Sequence, residues 1–261
     1  MLGFTYVLGV VLAMSSVVSA TSILLPLYLW PTSTAIWGPV YNAVATYPDV
    51  LFQIIINPSS GPGYSQYPED DYILAIAKLN RYNNTRLIGY IPTEYAQRDI
   101  SEVEQAISVY SGWSSYTKRN IALSGIFFDE APRTNDDTTI QYMKTVSAKA
   151  RSSNLPTVVF NPGTKVEEGS APSYFGAANF IVEFENSYDT WTTTIPTEQL
   201  SSQKYHKQDA VLLYNAPLTA DYETVVAEAK QMGLGAVYLT NVADYASVDS
   251  VHRVATAFTQ A

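Results

Sequence analysis

Eight short runs of β-branched and other apolar residues recur along the chain, at 23–29, 50–56, 86–91, 125–128, 157–160, 180–184, 210–214 and 236–239. Their length and their content of Val, Ile and Phe predict strands. Between them the apolar positions switch to helical spacing, as in Tyr72, Ile73, Ile76, Ala77 and Leu79, with polar residues in the gaps. The same pattern predicts helices over 101–110, 138–151, 222–232 and 248–258, and Ser101 stands at capping-box spacing from Glu104. The stretch between the fifth and sixth runs is too short and too rich in Gly, Pro and Ser for a long helix. Strands alternating with helices build parallel βαβ units. Eight of them predict an α/β fold, a closed (β/α)8 TIM barrel in a single domain, and 261 residues suit the ~250 typical of it. A doubly wound open sheet is the competing architecture, but no Gly-rich phosphate turn follows the first run.

In such a barrel the residues that follow each strand share one face, where active sites lie. The first run leads into Tyr28 and Trp30, the second into Asn57, and the third carries Tyr90. The fifth meets Asn161, the sixth Asn186, the seventh ends at Tyr214, and Asn241 follows the eighth. Aromatic faces beside amide hydrogen-bonding groups suit a sugar, so these eight residues are the candidate substrate-binding set. Trp191 is a further candidate platform. Each has a plain packing or turn reading of its own; their coincidence at one rim is what points to a ligand.

The fourth run, Gly125-Ile126-Phe127-Phe128, stops on two adjacent acids, Asp129 and Glu130, shortly before Pro132. Neighbouring carboxyls at a partly desolvated edge repel, so one pKa rises relative to the other. A protonated carboxyl beside an ionised one is what acid-assisted glycoside cleavage requires. Taken alone, the pair reads more readily as two adjoining loop acids, one of them capping the next helix. Competing chemistries find fewer residues. The two histidines, His206 and His252, lie away from every predicted strand end, which leaves no metal cluster or Ser-His-Asp triad. Cysteine is absent, and no Walker motif, dinucleotide fingerprint or nucleophile elbow occurs. The expectation is no metal and no cofactor.

A net charge of −9 with scattered Lys and Arg argues against nucleic acid and fits a neutral or cationic polymer as partner. Residues 2–18 are apolar or small, and Val18-Ser19-Ala20 offers a small-x-small cleavage pattern. Residues 1–20 are therefore read as a signal peptide, with an uncleaved signal anchor as the alternative. The mature domain would be 21–261, secreted to the wall or extracellular matrix, monomeric and free of the membrane once cleaved. Asn83-Asn84-Thr85 is a glycosylation sequon on a predicted loop.

Several motifs in order along the chain resemble one family. They are Leu25-Pro26-Leu27-Tyr28, Ile55-Ile56-Asn57-Pro58, Gly61-Pro62-Gly63, Gly89-Tyr90-Ile91-Pro92-Thr93, the stretch from Gly125 to Pro132, Asn161-Pro162-Gly163-Thr164 and Phe184-Glu185-Asn186-Ser187. Together they resemble the spherulin-4-like family, glycoside hydrolase family 135. The resemblance implies a (β/α)8 barrel that cleaves α-1,4-linked N-acetylgalactosamine within galactosaminogalactan. It also implies an acidic site made of an Asp-Glu pair on the fourth strand and a Glu on the sixth, here Asp129, Glu130 and Glu185. In one assignment Glu130 is the general acid and Asp129 orients the sugar's acetamide; in the other Glu185 is nucleophile or base opposite Glu130. Glu183 departs from the family pattern, and period-two alternation places it on the face of Glu185, one layer deeper. The alternative to an enzyme is a non-catalytic carbohydrate-binding wall or spore-coat protein on the same barrel.

Overall fold

The computed structural model describes residues 21–33, 35–134, 136–194 and 196–261. The proposed signal segment 1–20 lies outside the described residues. Strands β1 (Ser22–Leu27), β2 (Phe52–Ile56), β3 (Thr85–Pro92), β4 (Gly125–Asp129), β5 (Thr157–Phe160), β6 (Phe180–Ser187), β7 (Asp209–Tyr214) and β8 (Ala236–Leu239) close into a barrel in chain order. All pairs are parallel, and β8 returns to β1 through Ser22↔Ala236 and Ile23↔Val237. Each strand is covered on both faces, by the barrel interior and by the helices, which is why the runs are continuously apolar rather than alternating. Every residue of β1 and β2 is buried.

The outer layer comprises α1 (Gly38–Thr46), α2 (Asp70–Leu79), α3 (Ile100–Gly112), α4 (Asp137–Ser152), α5 (Ala171–Ala177), α6 (Tyr188–Thr193), α7 (Pro196–Gln199), α8 (Tyr222–Met232) and α9 (Val251–Gln260). Residues at i, i+3, i+4 spacing turn inward, as Tyr72, Ile73, Ile76 and Leu79 do in α2. Asp136 and Asp221 cap α4 and α8 by accepting from the amides of Thr139 and Thr224. At α3 the cap is Asp99, whose carboxylate accepts from the Ser101 amide at 2.8 Å and its hydroxyl at 2.7 Å. The Ser101–Glu104 capping box is thereby corrected: Ser101 lies inside the helix, and the aspartate two residues earlier reaches the orphan amide better.

Two contacts position the strand ends that matter. The Tyr110 hydroxyl of α3 donates to the Tyr90 carbonyl (3.1 Å), with the Ile56 carbonyl at 3.3 Å. Its ring fills the space above Gly89, where a Cβ would stand 2.7 Å from ring carbons. Only glycine admits that approach, and the tyrosine then locks β2 against β3.

The second contact is a β-bulge. Val182 pairs with Ala210 and Phe184 with Val211, so Glu183 is the extra residue in β6. Glu185 pairs with Leu212, which returns it to the face of Val182 and turns Glu183 outward beside Phe184. This corrects the expectation that Glu183 lies below Glu185 in the barrel, because the bulge interrupts the period of two. Glu183 is buried in the helical layer, where it accepts from the Ser201 hydroxyl (2.7 Å) and amide (2.5 Å) and the Val166 amide (3.1 Å). Beside it lies Asp209, fully buried, with no N–H donor of the described residues reaching either of its oxygens. Two facing carboxyls close into a hydrogen bond only if one keeps its proton. Burial first, then the charge of Glu183 and the bond to it, push the Asp209 carboxyl up to about 8, against a weaker downward pull from Lys165.

Candidate active site

Three strands deliver the polar centre at the C-terminal mouth of the barrel. Asp129 is the last residue of β4, Asn161 follows β5, and Glu185 projects from β6 beyond the bulge. Asn161 is buried, and its Nδ2 donates to Asp129 Oδ1 and to Glu185 Oε2, at 2.8 Å each. Two such bonds from one nitrogen hold the nearest acid oxygens no more than 5.6 Å apart, twice 2.8 Å. The Gly163 amide donates to Asn161 Oδ1 at 2.9 Å, which fixes the amide with its nitrogen toward the acids.

Two tyrosines close the outer sides. Tyr90 donates to Asp129 Oδ2 at 2.6 Å, and Tyr245 donates to Glu185 Oε1 at 2.7 Å. Tyr28 stands edge-on to both, with ring centroids 5.7 Å from Tyr90 and 6.0 Å from Tyr245. Burial and the neighbouring acids hold the Tyr90 and Tyr245 phenols protonated far above their usual range, so both remain donors. For Glu185, burial raises the carboxyl above the ordinary glutamate value, bonds from Asn161 and Tyr245 oppose it, and the charge of Asp129 adds to the rise. The surroundings of Glu185 thus favour its keeping a proton.

Glu130 lies outside this bonded cluster. Its side chain is exposed, and its backbone takes φ 49°, with its carbonyl accepting from the Tyr95 amide at 2.7 Å and the Thr93 hydroxyl at 2.9 Å. Its charge still bears on the Tyr90 phenol, so it shares the mouth. Left-handed backbone recurs around this opening, at Glu94, Tyr95 and Ala96 and at Tyr245, which is uncommon for residues other than glycine and clusters at functional sites.

The remaining candidates divide by what their polar groups do. Trp30 is a rim residue, 43% exposed, with its indole N–H on Asp71 at 3.3 Å. Tyr214 reaches Asn186 Oδ1 at 3.4 Å, but that oxygen also accepts from the Ser187 amide (2.7 Å) and Thr190 hydroxyl (3.2 Å) at the start of α6. Asn57 Oδ1 accepts from the Gly61 amide at 3.0 Å, and Asn241 Oδ1 from the Ser250 hydroxyl at 3.3 Å. Trp191 is buried against Phe184 and donates to Glu228, so it is core of the helical layer and is corrected as a sugar platform. Tyr245 was not among the residues read from strand ends. It stands six residues beyond β8, in the last βα loop, and only attention to every polar aromatic in those loops would have found it. Among the described residues no three His, Asp or Glu side chains converge as metal ligands would.

The family model of spherulation-specific family 4 matches residues 22–258. Spherulin-4 of Physarum polycephalum is 33% identical over 192 residues, covering 70% of this chain and 52% of that protein, so the chain spans about half the length of this curated relative. The crystal structure of Aspergillus clavatus Sph3 in complex with GalNAc is similar at a TM-score of 0.80 and 28% identity, over 92% of this chain and 97% of that one. A class V chitinase from Pseudomonas fluorescens Pf-5 is similar in fold alone, at a TM-score of 0.55 and 8% identity over 91% of this chain and 100% of that one.

Proposed function

The chain belongs to the spherulation-specific family 4, and from that membership we propose that it is a secreted glycoside hydrolase. Its substrate is α-1,4-linked N-acetylgalactosamine, cleaved within chains such as galactosaminogalactan. The observation that carries this reading is the pair Asp129 and Glu185, bridged by one amide nitrogen in the barrel mouth. The GalNAc held by the Aspergillus clavatus relative supports the choice of sugar.

Paired carboxyls about 5–5.5 Å apart serve retaining cleavage, whereas inversion needs ~6.5–9.5 Å to admit a water. The 5.6 Å limit set by Asn161 favours retention. Glu185 gives its proton to the glycosidic oxygen as the bond from that oxygen to C1 breaks. Asp129 attacks C1 and forms a glycosyl ester. Glu185, now a carboxylate, takes a proton from water, and the water oxygen displaces Asp129 from C1. In an α-linked sugar the 2-acetamide stands cis to the leaving oxygen and cannot reach C1 from the opposite face, so Asp129 itself is the nucleophile. Asn161 and Tyr90 hold Asp129 in one rotamer for that attack. The proton role that the adjacent acid pair suggested for Glu130 passes in this reading to Glu185, which is buried and bonded where Glu130 is exposed.

The test is product release from purified galactosaminogalactan by the 21–261 protein, with Asp129→Asn alongside. Soluble N-acetylgalactosamine oligomers are expected from the wild type only. Retention of the wild type on the polymer without products would replace the hydrolase with a binding protein. Neither products nor retention would remove this polymer as the substrate.

A further inference from the structure

The loop between β2 and α2 contains the Gly61-Pro62-Gly63 motif, and the chemistry at Asp129 and Glu185 makes no use of it. Ser60 takes a costly φ of 46°, while Gly61 (141°) and Gly63 (83°) supply turns that only glycine makes without strain. Asn57 Oδ1 accepts from the Gly61 amide at 3.0 Å and the Ser59 amide donates to the Gly61 carbonyl at 3.2 Å, so the loop is pinned as a strap. Strained surface backbone persists where its surroundings over-determine it, commonly at ligand clamps.

The strap separates two clefts. One, of about 430 Å³, runs between Ser59, Ser60 and Tyr64 of the strap and Arg98, Glu102 and Gln105 on the α3 side. That volume lies in the ~300–1,000 Å³ range of small-molecule sites. The other, of about 180 Å³, lies between the strap and Trp30 and Tyr67. Both share Tyr64, which is fully exposed. Trp30 has its indole N–H on Asp71 and its ring edge-on to Tyr72 at 5.1 Å, which fixes its orientation while much of it stays in solvent. Trp30 follows Tyr28 by two residues, so the smaller cleft is lined from the same segment after β1 that carries Tyr28 into the acid site. In the larger cleft the Arg98–Glu102 pair, 3.4 Å apart, cancels its own charge and leaves hydroxyl, amide and aromatic groups facing a ligand.

We infer that the clefts on either side of the 58–64 strap are remote subsites for the same polysaccharide, with Trp30 and Tyr64 as stacking platforms for sugars several units from the cleaved bond. The inference rests on the hydrolase reading for the identity of the polymer. A chain that continues over the rim would bind more tightly than a short oligomer that fills only the mouth.

Tyr64→Ala tests this, because a fully exposed side chain can be removed with little effect on the fold. Against galactosaminogalactan the variant is expected to lose about ten-fold in kcat/KM through KM, with kcat unchanged. Against a trimer of α-1,4-linked N-acetylgalactosamine it is expected to match the wild type. Equal behaviour of variant and wild type on both substrates would overturn the inference while leaving the hydrolase intact, and so would an equal loss on both. A second readout separates the two claims: affinity electrophoresis of Asp129→Asn in gels containing the uncleaved polymer, with and without Tyr64→Ala. Retardation lost with Tyr64 supports the subsites even if the wild type releases no products. Retardation unchanged by Tyr64→Ala counts against them.

Discussion

Glu185→Gln is expected to lower turnover of the N-acetylgalactosamine polymer by about 10²–10⁴-fold, the usual contribution of a positioned general acid. The substitution is nearly isosteric and keeps the local bonding: the new amide oxygen accepts from Asn161, and its NH2 donates to the Tyr245 oxygen, whose hydroxyl turns away. The loss is therefore chemical rather than structural. A substrate that needs no protonation, an aryl glycoside with a good leaving group, should lose far less in the same variant. Asp129→Asn should abolish turnover of both substrates, because attack of its carboxylate at C1 is needed whatever leaves. Glu130→Gln should show no such dependence on the leaving group. If instead Glu130→Gln spares the aryl glycoside and Glu185→Gln does not, the proton comes from the rim acid and the assignment here is reversed. The pH profile carries the same information. Glu185 acts protonated, and burial raises its carboxyl, so the alkaline limb of kcat/KM should lie above the ordinary glutamate value of 4.5 and vanish in Glu185→Gln.

The second large effect concerns stability. The Asp209 carboxyl sits at about 8 in the folded protein against 3.8 when free. Between those values the folded form holds a proton that the unfolded chain has released, so stability contributed by this group falls as pH rises from about 4 to about 8. Below that window the contribution is complete, and above it the loss levels off. The slope from one such group approaches but does not exceed about 1.4 kcal/mol per pH unit. Asp209→Asn replaces the shared proton with an amide N–H that donates to Glu183 and does not titrate. Melting temperatures between pH 5 and pH 8 should therefore fall more steeply for the wild type, with Asp209→Asn the more stable at pH 8. Parallel curves would mean that Asp209 is ionised in the fold. Glu183 is a different case: it satisfies the Ser201 and Val166 amides, and truncating it would leave those donors buried and unpaired.

What could be read from the sequence follows from what each element buries. The eight strands were legible because both faces of each are covered, giving unbroken apolar runs. Helix α1 was not, since Gly38 and Pro39 at its start read as a turn and Trp37 supplies no capping side chain. The short α6 begins on the Ser187 hydroxyl directly at the end of β6, with no connecting loop to announce it. At the site, Asp129, Glu185, Tyr90 and Asn161 were each visible as strand-end residues. That one amide would bridge both acids depends on the side-by-side pairing of β4, β5 and β6, which brings together positions 32 and 24 residues apart. Tyr245 reaches Glu185 across 60 residues from a loop with left-handed backbone, a placement no local pattern encodes. Glu183 misled because alternation assumes a regular strand, and the bulge at Glu183 breaks the period of two and turns it outward beside Asp209. The amides of Asn57 and Asn241 were legible as polar strand-end groups but not as the internal ties that hold the strap and α9.

The most direct measurement is proton NMR of a defined α-1,4-linked N-acetylgalactosamine oligomer in the first minutes after the 21–261 protein is added. Two carboxyls held within 5.6 Å by Asn161 predict cleavage with the new reducing end appearing first as the α anomer, followed by slow mutarotation. A β anomer appearing first would require a water between acids farther apart than this site holds them, and would contradict the account.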